Sequence, residues 1–400
     1  CRHAPAFIHT TGQVTKIRDW VARLVQAGVT VTTELRLWQV WSLVFCMRLD
    51  EARAELDLLT PSLLPPHQAH LEQLRISIAA RGDDAGLTRD LAEQWVATQA
   101  TTDMFKLAAV QAIRSLACAA LLDENGARVS LAAARTAAGK SAGAYAGAWV
   151  GAIDALLELG QGNAPLATEL LERCLSRTRQ TASPTAPILG TMDLIAARVQ
   201  YERGDIVAAR DHMDRGAYAL PGHCLVETDI LAWETRIGLT EASSGIDAAL
   251  AELREWTGQS YRLRAACTCA AIGLLLRAGR TAEAKQHWEG RVRIGPDGMP
   301  MMGDAALPPD MALQLSTTGA WLQFATGQHD DAARLATWLL PIAEQHGRQP
   351  LRVKLLLLKA ALHLSEGDRV RARGPFRLAL ELAARNDLFA TVHELAWALL

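Results

Sequence analysis

The feature that most restricts this chain is one phrase repeated at intervals of about 40 residues. An apolar helical run ends at a breaker, and a small residue stands five places later in the next run. The phrase is plainest in LLLLKAALHLSEGDRVRARGPFRLALELAARND, where Leu355, Leu358 and Leu362 keep helical spacing up to Ser365-Glu366-Gly367-Asp368. A second apolar stripe, Val370, Phe376, Leu378, Leu380 and Leu382, follows the break. Ala360 stands seven residues before Gly367 and Ala372 five after it. Small residues at those places let two antiparallel helices approach closely.

Breakers fall near Met47, Gly82, Gly126, Gly162, Gly204, Ser244, Gly279, Gly327 and Gly367, with gaps of 35 to 48 residues. Alanine stands five residues on at Ala52, Ala167, Ala209, Ala249, Ala284, Ala332 and Ala372, while Leu87 and Leu131 hold that place in the other two. Alanine also recurs near the place seven before the turn, at Ala119, Ala155, Ala197, Ala320 and Ala360. This period belongs to tetratricopeptide-like hairpins. The expected fold is all-α, a right-handed superhelix of about nine such hairpins. Composition agrees, since Ala and Leu dominate a chain that is 50% hydrophobic and only 5% aromatic, and no run alternates with period two. A repeat array grows along one axis, so 400 residues need not divide into globular domains.

The expected organisation is the end of an upstream helical unit over 1–30, with Val14 to Leu24 as its helix, then hairpins one to seven over 31–290. A Gly/Pro/Met-rich loop over 291–310 precedes hairpins eight and nine over 311–400. Proline punctuates the joints at Pro61, Pro65-Pro66, Pro184, Pro187 and Pro221. A joint of about 20 residues is either a disordered connection or a lid, and Met299, Met301 and Met302 keep the second alternative open.

A net charge of −2 offers no basic stripe for phosphates, so no direct nucleic-acid contact is expected. No apolar run approaches the ~18–20 residues that cross a bilayer, and no signal peptide is visible, so no membrane partner is expected. Seven scattered cysteines read as reduced core thiols in a cytoplasmic protein. The chain opens on Cys1, so it reads as a piece of something longer.

Motifs that carry chemistry fail on their surroundings. Ala134 to Ser141 matches a relaxed phosphate loop, but its lead-in is helical and Ala134 stands where the first glycine is required; Gly139 reads as a helix C-cap. Gly143, Gly147 and Gly151 recur every four residues and read as a face for close packing. Cys267 and Cys269 point ~200° apart on a helix and cannot easily share a metal. His67 and His70 read as a solvated helix start, and His393-Glu394 lacks the second histidine of a zinc protease. No nucleophile with a base is visible. The chain reads as no enzyme, with no metal and no cofactor of its own.

The stretch from Arg18 to Leu59 resembles the start of the superhelical sensor segment of MalT-like proteins, the large ATP-dependent LuxR-type transcription activators. Leu274–Glu289, Trp321–Arg348 and Leu362–Ala383 resemble that family's closing repeats in order and spacing. The resemblance implies an inducer-sensing and protein-interaction segment, with a small-molecule inducer or regulatory protein as partner. It implies self-association in the full-length activator. ATP is expected only on an NTPase module, which, like the DNA-binding helix-turn-helix, is absent from this chain. A generic tetratricopeptide-type scaffold gripping a peptide or protein has much the same sequence and is the alternative.

In a hairpin superhelix the first helices line the concave groove, at places 13, 10, 6 and 3 before the turn. Glu34, Trp41 and Val44 fall there in the first hairpin, and Thr191, Leu194, Arg198 and Tyr201 in the fifth. The sixth supplies Leu231, Glu234 and Glu241, and the eighth Gln314, Thr317, Trp321 and Phe324. Polar groups mixed with aromatics suit a small ligand or peptide. The expected ligand-binding set is Arg198, Tyr201, Glu234, Glu241, Thr317 and Trp321.

Overall fold

The computed structural model describes residues 14–60, 65–98, 103–141, 145–182, 186–219, 225–255, 260–296 and 298–399. Among the described residues, helix α1 (Val14–Gln26) leads into nine helical hairpins. The first four are α2 (Thr33–Phe45) with α3 (Leu49–Leu59), α4 (Pro65–Arg81) with α5 (Ala85–Thr98), α6 (Met104–Ala120) with α7 (Glu124–Lys140), and α8 (Tyr145–Gly160) with α9 (Ala164–Thr181). The next three are α10 (Pro187–Glu202) with α11 (Ile206–Gly216), α12 (Val226–Ser244) with α13 (Ile246–Glu255), and α14 (Tyr261–Arg277) with α15 (Thr281–Glu289). The last two are α16 (Pro309–Ala325) with α17 (His329–Gln345), and α18 (Gln349–Ser365) with α19 (Arg369–Asn386). A short α20 (Phe389–His393) and a 3-10 turn (Ala396–Ala398) follow. Of the expected joints, Pro61, Pro184 and Pro221 lie outside the described residues, as do Cys1, Cys224 and Gly143.

Each hairpin turns on one residue with positive φ: Met47, Asp83, Leu122, Gly162, Gly204, Gly245, Gly279, Gly327 and Gly367. A left-handed residue ends the first helix and reverses the chain within three residues. In five hairpins the next residue, Asp84, Asp123, Asn163, Asp205 or Asp368, caps the second helix by accepting a bond from the N–H three residues on. Eight of the nine turns fall where the breakers predict them or one residue away. Two readings move. The third turn sits at Leu122, not Gly126, which lies inside α7. The second sits at Asp83, so the small inward place belongs to Thr88, 2% exposed, and not to Leu87, 47% exposed. Ala127 takes that place in the third hairpin. Elsewhere Ala52, Ala167, Ala209, Ala249, Ala284, Ala332 and Ala372 are all buried.

Four further expectations are corrected. The 291–310 loop holds a small antiparallel sheet, β1 (Val292–Ile294), β2 (Pro300–Met302) and β3 (Ala305–Ala306), in that order. Val292 pairs with Met302 and Ile294 with Pro300; Val292 and Met302 are buried, and β2 lies against α14 and α16. Between β1 and β2, Gly295 N–H donates to Met299 O at 2.8 Å and Gly298 N–H to Gly295 O at 3.0 Å. On α19 the stripe of Val370, Phe376, Leu378 and Leu380 faces outward, Val370 at 78% exposure; the helix docks through Ala372, Ala379, Leu382 and Ala383. The glycine ladder is used only in part. A methyl at Gly151 would overlap Cys174 Sγ, whereas one at Gly147 would meet nothing. Gly139 lies within α7, whose C-cap is Ser141.

The chain clusters into two compact units, residues 1–154, 170–193 and 215–228, and residues 155–169, 194–214 and 229–400. In the first, Leu37, Val40, Leu43, Leu56, Leu71 and Leu74 form a core cluster against which Trp41 packs. In the second, α18 is buried on nearly every side through Val353, Leu355–Leu358 and Ala360–Leu362. There the fourth hairpin's turn meets the joint before α18: Gln349 N–H donates to Gln161 O at 3.2 Å, and Pro350 packs on Gly162. Among the described residues no helix is long and apolar enough to cross a membrane.

Gly162 and Gly204 share a left-handed backbone but differ in surroundings. A Cβ on Gly162 would lie 2.6 Å from Pro350 Cδ, while one on Gly204 meets nothing within 4 Å. Gly204→Ala is expected to cost ~1–2 kcal/mol from backbone strain alone. Gly162→Ala adds steric overlap of ~1–3 kcal/mol. Urea denaturation of the two variants checks the order; equal losses would mean that the Pro350 contact carries no weight.

Candidate functional site

In the second unit the first helices of successive hairpins lie side by side, α14 against α16 and α16 against α18. Their three-and-four spacing brings charged side chains from neighbouring helices to one wall. Arg198 on α10 reaches Glu202 at 2.5 Å, one turn along its own helix, and Glu234 on α12 at 3.6 Å. Glu234 also accepts a 3.0 Å bond from Gln314 Nε2 on α16. Glu241 on α12 takes both prongs of the Arg277 guanidinium on α14, at 2.8 and 2.6 Å. Such bidentate pairs fix geometry as well as charge. The Arg198 guanidinium stands 5.6 Å from the centroid of Tyr201, whose ring fills the space that the missing side chain of Gly238 leaves.

A short segment of the chain's own C-terminal end rests on this wall. Thr391 donates to Glu202 Oε2 twice, from its hydroxyl at 3.0 Å and from its N–H at 3.3 Å. The Tyr201 hydroxyl donates to Glu394 Oε1 at 3.4 Å. The Trp397 ring lies 6.0 Å from that of Trp321, which meets Phe324 edge to face at 5.9 Å. Arg203 pairs with Asp387 at 3.3 Å, just before the segment begins. Thr391, Glu394 and Trp397 are spaced three apart, so α20 and the turn after it present hydroxyl, carboxylate and indole along one side.

Electrostatics fit that occupant. Burial alone pushes the Glu394 carboxyl up, but Lys354, Arg277 and Arg198, with the Tyr201 hydroxyl, outweigh it and hold the group below the ordinary carboxylate range. Burial and the nearby Glu394 carboxylate raise Tyr201, keeping it a neutral donor. Burial acts to lower Arg198, yet Glu202, Glu234 and Glu394 move it further up. Every charge here has a partner of opposite sign, as partly buried charges require.

The structure thus brings Arg198, Tyr201 and Glu234 together, with Glu241 joined to them through Arg277. Trp321 is connected through Trp397. Thr317 is buried, and its hydroxyl donates to Leu313 O of its own helix at 2.9 Å. Glu202, Arg277 and Lys354 were missed. Arg277 stands two residues before its turn, as Glu202 does, and opposite charges recur at nearly matched places on neighbouring first helices; that signal was present. The C-terminal turn carried none beyond the unmatched His393-Glu394 pair. Cys267 and Cys269 are thiols pushed up to about 12 by burial, and among the described residues no three metal-ligating side chains are grouped.

Helical hairpins stacked through small residues, with a polar wall built from their first helices, define a tetratricopeptide-like repeat protein. Among solved structures the chain is similar to the crystal structure of a Rap protein complexed with competence and sporulation factor, with a TM-score of 0.63 at 8% identity. That likeness covers 88% of this chain and 98% of the other, and at such identity it concerns the fold. No family model and no curated protein matches the chain.

Glu394→Gln keeps the shape of the side chain and removes its charge. Amide exchange over residues 388–399 is expected to quicken about tenfold at pH 7, equivalent to ~1.4 kcal/mol, with the hairpins unchanged. In the parent chain the carboxyl is depressed, so its contribution is complete above the ordinary value of ~4.3 and is lost as pH falls through the lower folded value. Exchange of this segment that is the same in variant and parent would show that the charge does not hold it.

Proposed function

We propose that this chain is a non-enzymatic interaction scaffold that grips a short helical peptide segment against the polar wall of its second unit. One observation carries the proposal: Thr391, Glu394 and Trp397 already lie on that wall as a peptide ligand does, through Glu202, Tyr201 and Trp321. The preferred partner segment then repeats their chemistry, with a hydroxyl, a carboxylate three residues later and an aromatic three beyond. Helix-on-groove recognition uses anchors at this spacing. The Rap protein structure, solved with another molecule bound, supports arrays of this kind as binders. A net charge of −2 speaks against nucleic acid as the partner.

A narrower version has the same wall sensing an inducer within a LuxR-type, MalT-like activator. The ordered phrases Leu274–Glu289, Trp321–Arg348 and Leu362–Ala383 favour it. In that version the internal turn is displaced by a small molecule or a regulatory protein, and only the difference in affinity between open and covered walls drives the change.

The test uses the full chain and a labelled peptide of residues 388–399, LFATVHELAWAL. Replacing Thr391 and Trp397 together by alanine weakens the internal turn. Fluorescence anisotropy is expected to show peptide binding to that variant with a dissociation constant of ~10 μM or below, about −7 kcal/mol, and at least tenfold weaker binding to the parent. Adding Glu202→Gln is expected to remove it. Absence of binding to either chain, or binding indifferent to Glu202, would overturn the peptide reading. Displacement by a sugar or a short acid would instead favour the inducer version.

A further inference from the structure

In a chain that is only 5% aromatic, five aromatic rings and a histidine converge in the first unit on one cavity of about 310 Å³. Trp38 and Trp41 come from α2, His70 from α4, Phe105 from α6, and Tyr145 and Trp149 from α8. The rings support one another. Phe105 and Tyr145 stack at 6.2 Å, Tyr145 meets Trp149 edge-on at 6.5 Å, and Trp38 meets His70 edge-on at 5.3 Å. The rings do not close on one another but leave a partly open space between them. This space is at the lower end of the range for small-molecule sites, ~300–1,000 Å³.

The polar groups narrow the occupant. His70 was expected at a solvated helix start; it is partly buried, and its Nε2 accepts a 2.6 Å bond from Trp41 Nε1–H. An indole can only donate, so the proton of the neutral imidazole sits on Nδ1, which is left as a donor. Burial, with the nearby charges of Lys106 and His67, lowers His70 to about 4 and keeps it neutral at pH 7. That same positive field disfavours a cationic ligand. Of the two carboxylates at the border, Asp103 is committed: Oδ1 caps α6 by accepting from Phe105 and Lys106 N–H at 3.1 and 3.2 Å. Its other oxygen lies 3.7 Å from Lys106 Nζ, a loose pair on a side chain one-third exposed. Glu34 occupies the first turn of α2, and Arg81 adds a second cation to the lining.

We propose that this cavity binds a small planar aromatic carboxylate, its ring held among Trp38, Trp41, Tyr145 and Trp149 and its anionic end at His70 Nδ1–H and Lys106. The site belongs wholly to the first unit and shares no residue with the polar wall, so it stands or falls separately from the peptide proposal.

Calorimetric titration of the full chain with four probes tests it: indole-3-acetate, indole, tryptamine and cyclohexylacetate. Indole-3-acetate is expected to bind saturably and the other three at least tenfold more weakly, since each lacks the anion, carries the wrong charge or lacks the flat ring. Lys106→Gln, at a partly exposed place where folding is safe, is expected to weaken indole-3-acetate about tenfold and leave indole unchanged. Trp149→Leu is expected to weaken both. Glu394→Gln, on the wall of the other unit, is expected to leave all four unchanged. No saturable binding by any probe, tighter binding of tryptamine, or indifference of indole-3-acetate to Lys106→Gln would each overturn the assignment.

Discussion

Everything in this molecule hangs on reversing a helix within three residues and bringing the next helix back at close range. The reversal requires one left-handed residue. Six hairpins use glycine there, while Met47, Asp83 and Leu122 adopt the same backbone at a cost of ~1–2 kcal/mol each. The return requires a small residue at the crossing, because a larger side chain would push the two backbones apart. With both conditions met nine times, the first helix of each hairpin is fixed in depth and rotation relative to its neighbour within the same unit. That rotation decides which side chains share a wall.

On the wall of the second unit, geometry and electrostatics reinforce one another. Carboxylates and guanidinium groups from different first helices arrive at nearly the same level, so each neutralises a neighbour on the next hairpin and not only one on its own helix. The Arg277–Glu241 and Arg198–Glu234 contacts join α10, α12 and α14 in this way. Partly buried charges are expensive unless satisfied, and Glu394 shows how the wall handles one more. Three cations on three different helices face its carboxylate, and Tyr201 supplies the hydrogen bond. No single pair need be strong for the segment to rest where it does, since the field is shared among α10, α14 and α18.

How much of this was readable in the sequence follows from how local each cause is. Turn and small-residue positions depend on a few consecutive residues, so Gly162, Gly204, Gly279, Gly327 and Gly367 could be placed directly. At Leu122 and Asp83 a non-glycine adopts the left-handed backbone and a nearby glycine, Gly126 or Gly82, was a false marker four residues or one residue away. The sheet at 292–306 was overlooked because each strand is only two or three residues long, although Gly-Pro-Asp-Gly is a hairpin signal. The wall residues Arg198 and Tyr201 followed from counting back from Gly204, and Glu234 from a turn set one residue early at Ser244. The α19 stripe was wrong because an apolar pattern does not say which face meets a neighbour. The C-terminal turn was invisible for a different reason: Thr391 and Glu202 are 189 residues apart, and no local pattern encodes their meeting.

The two sites also show what a repeat leaves free. Backbone reversal and close crossing use only the turn and a few small positions of each hairpin. The remaining inward places on the first helices carry no structural obligation beyond being compatible with their neighbours. In the first unit Trp38, Trp41 and Trp149 take such places and leave an apolar, ring-lined space; in the second, Arg198, Glu234, Glu241 and Arg277 take them and leave a charged surface. The rings of the first unit offer flat apolar faces beside a few charged groups, whereas the second unit offers paired charges, so the two surfaces differ in the chemistry they present. One hairpin design therefore carries two unlike linings without altering the backbone that supports them.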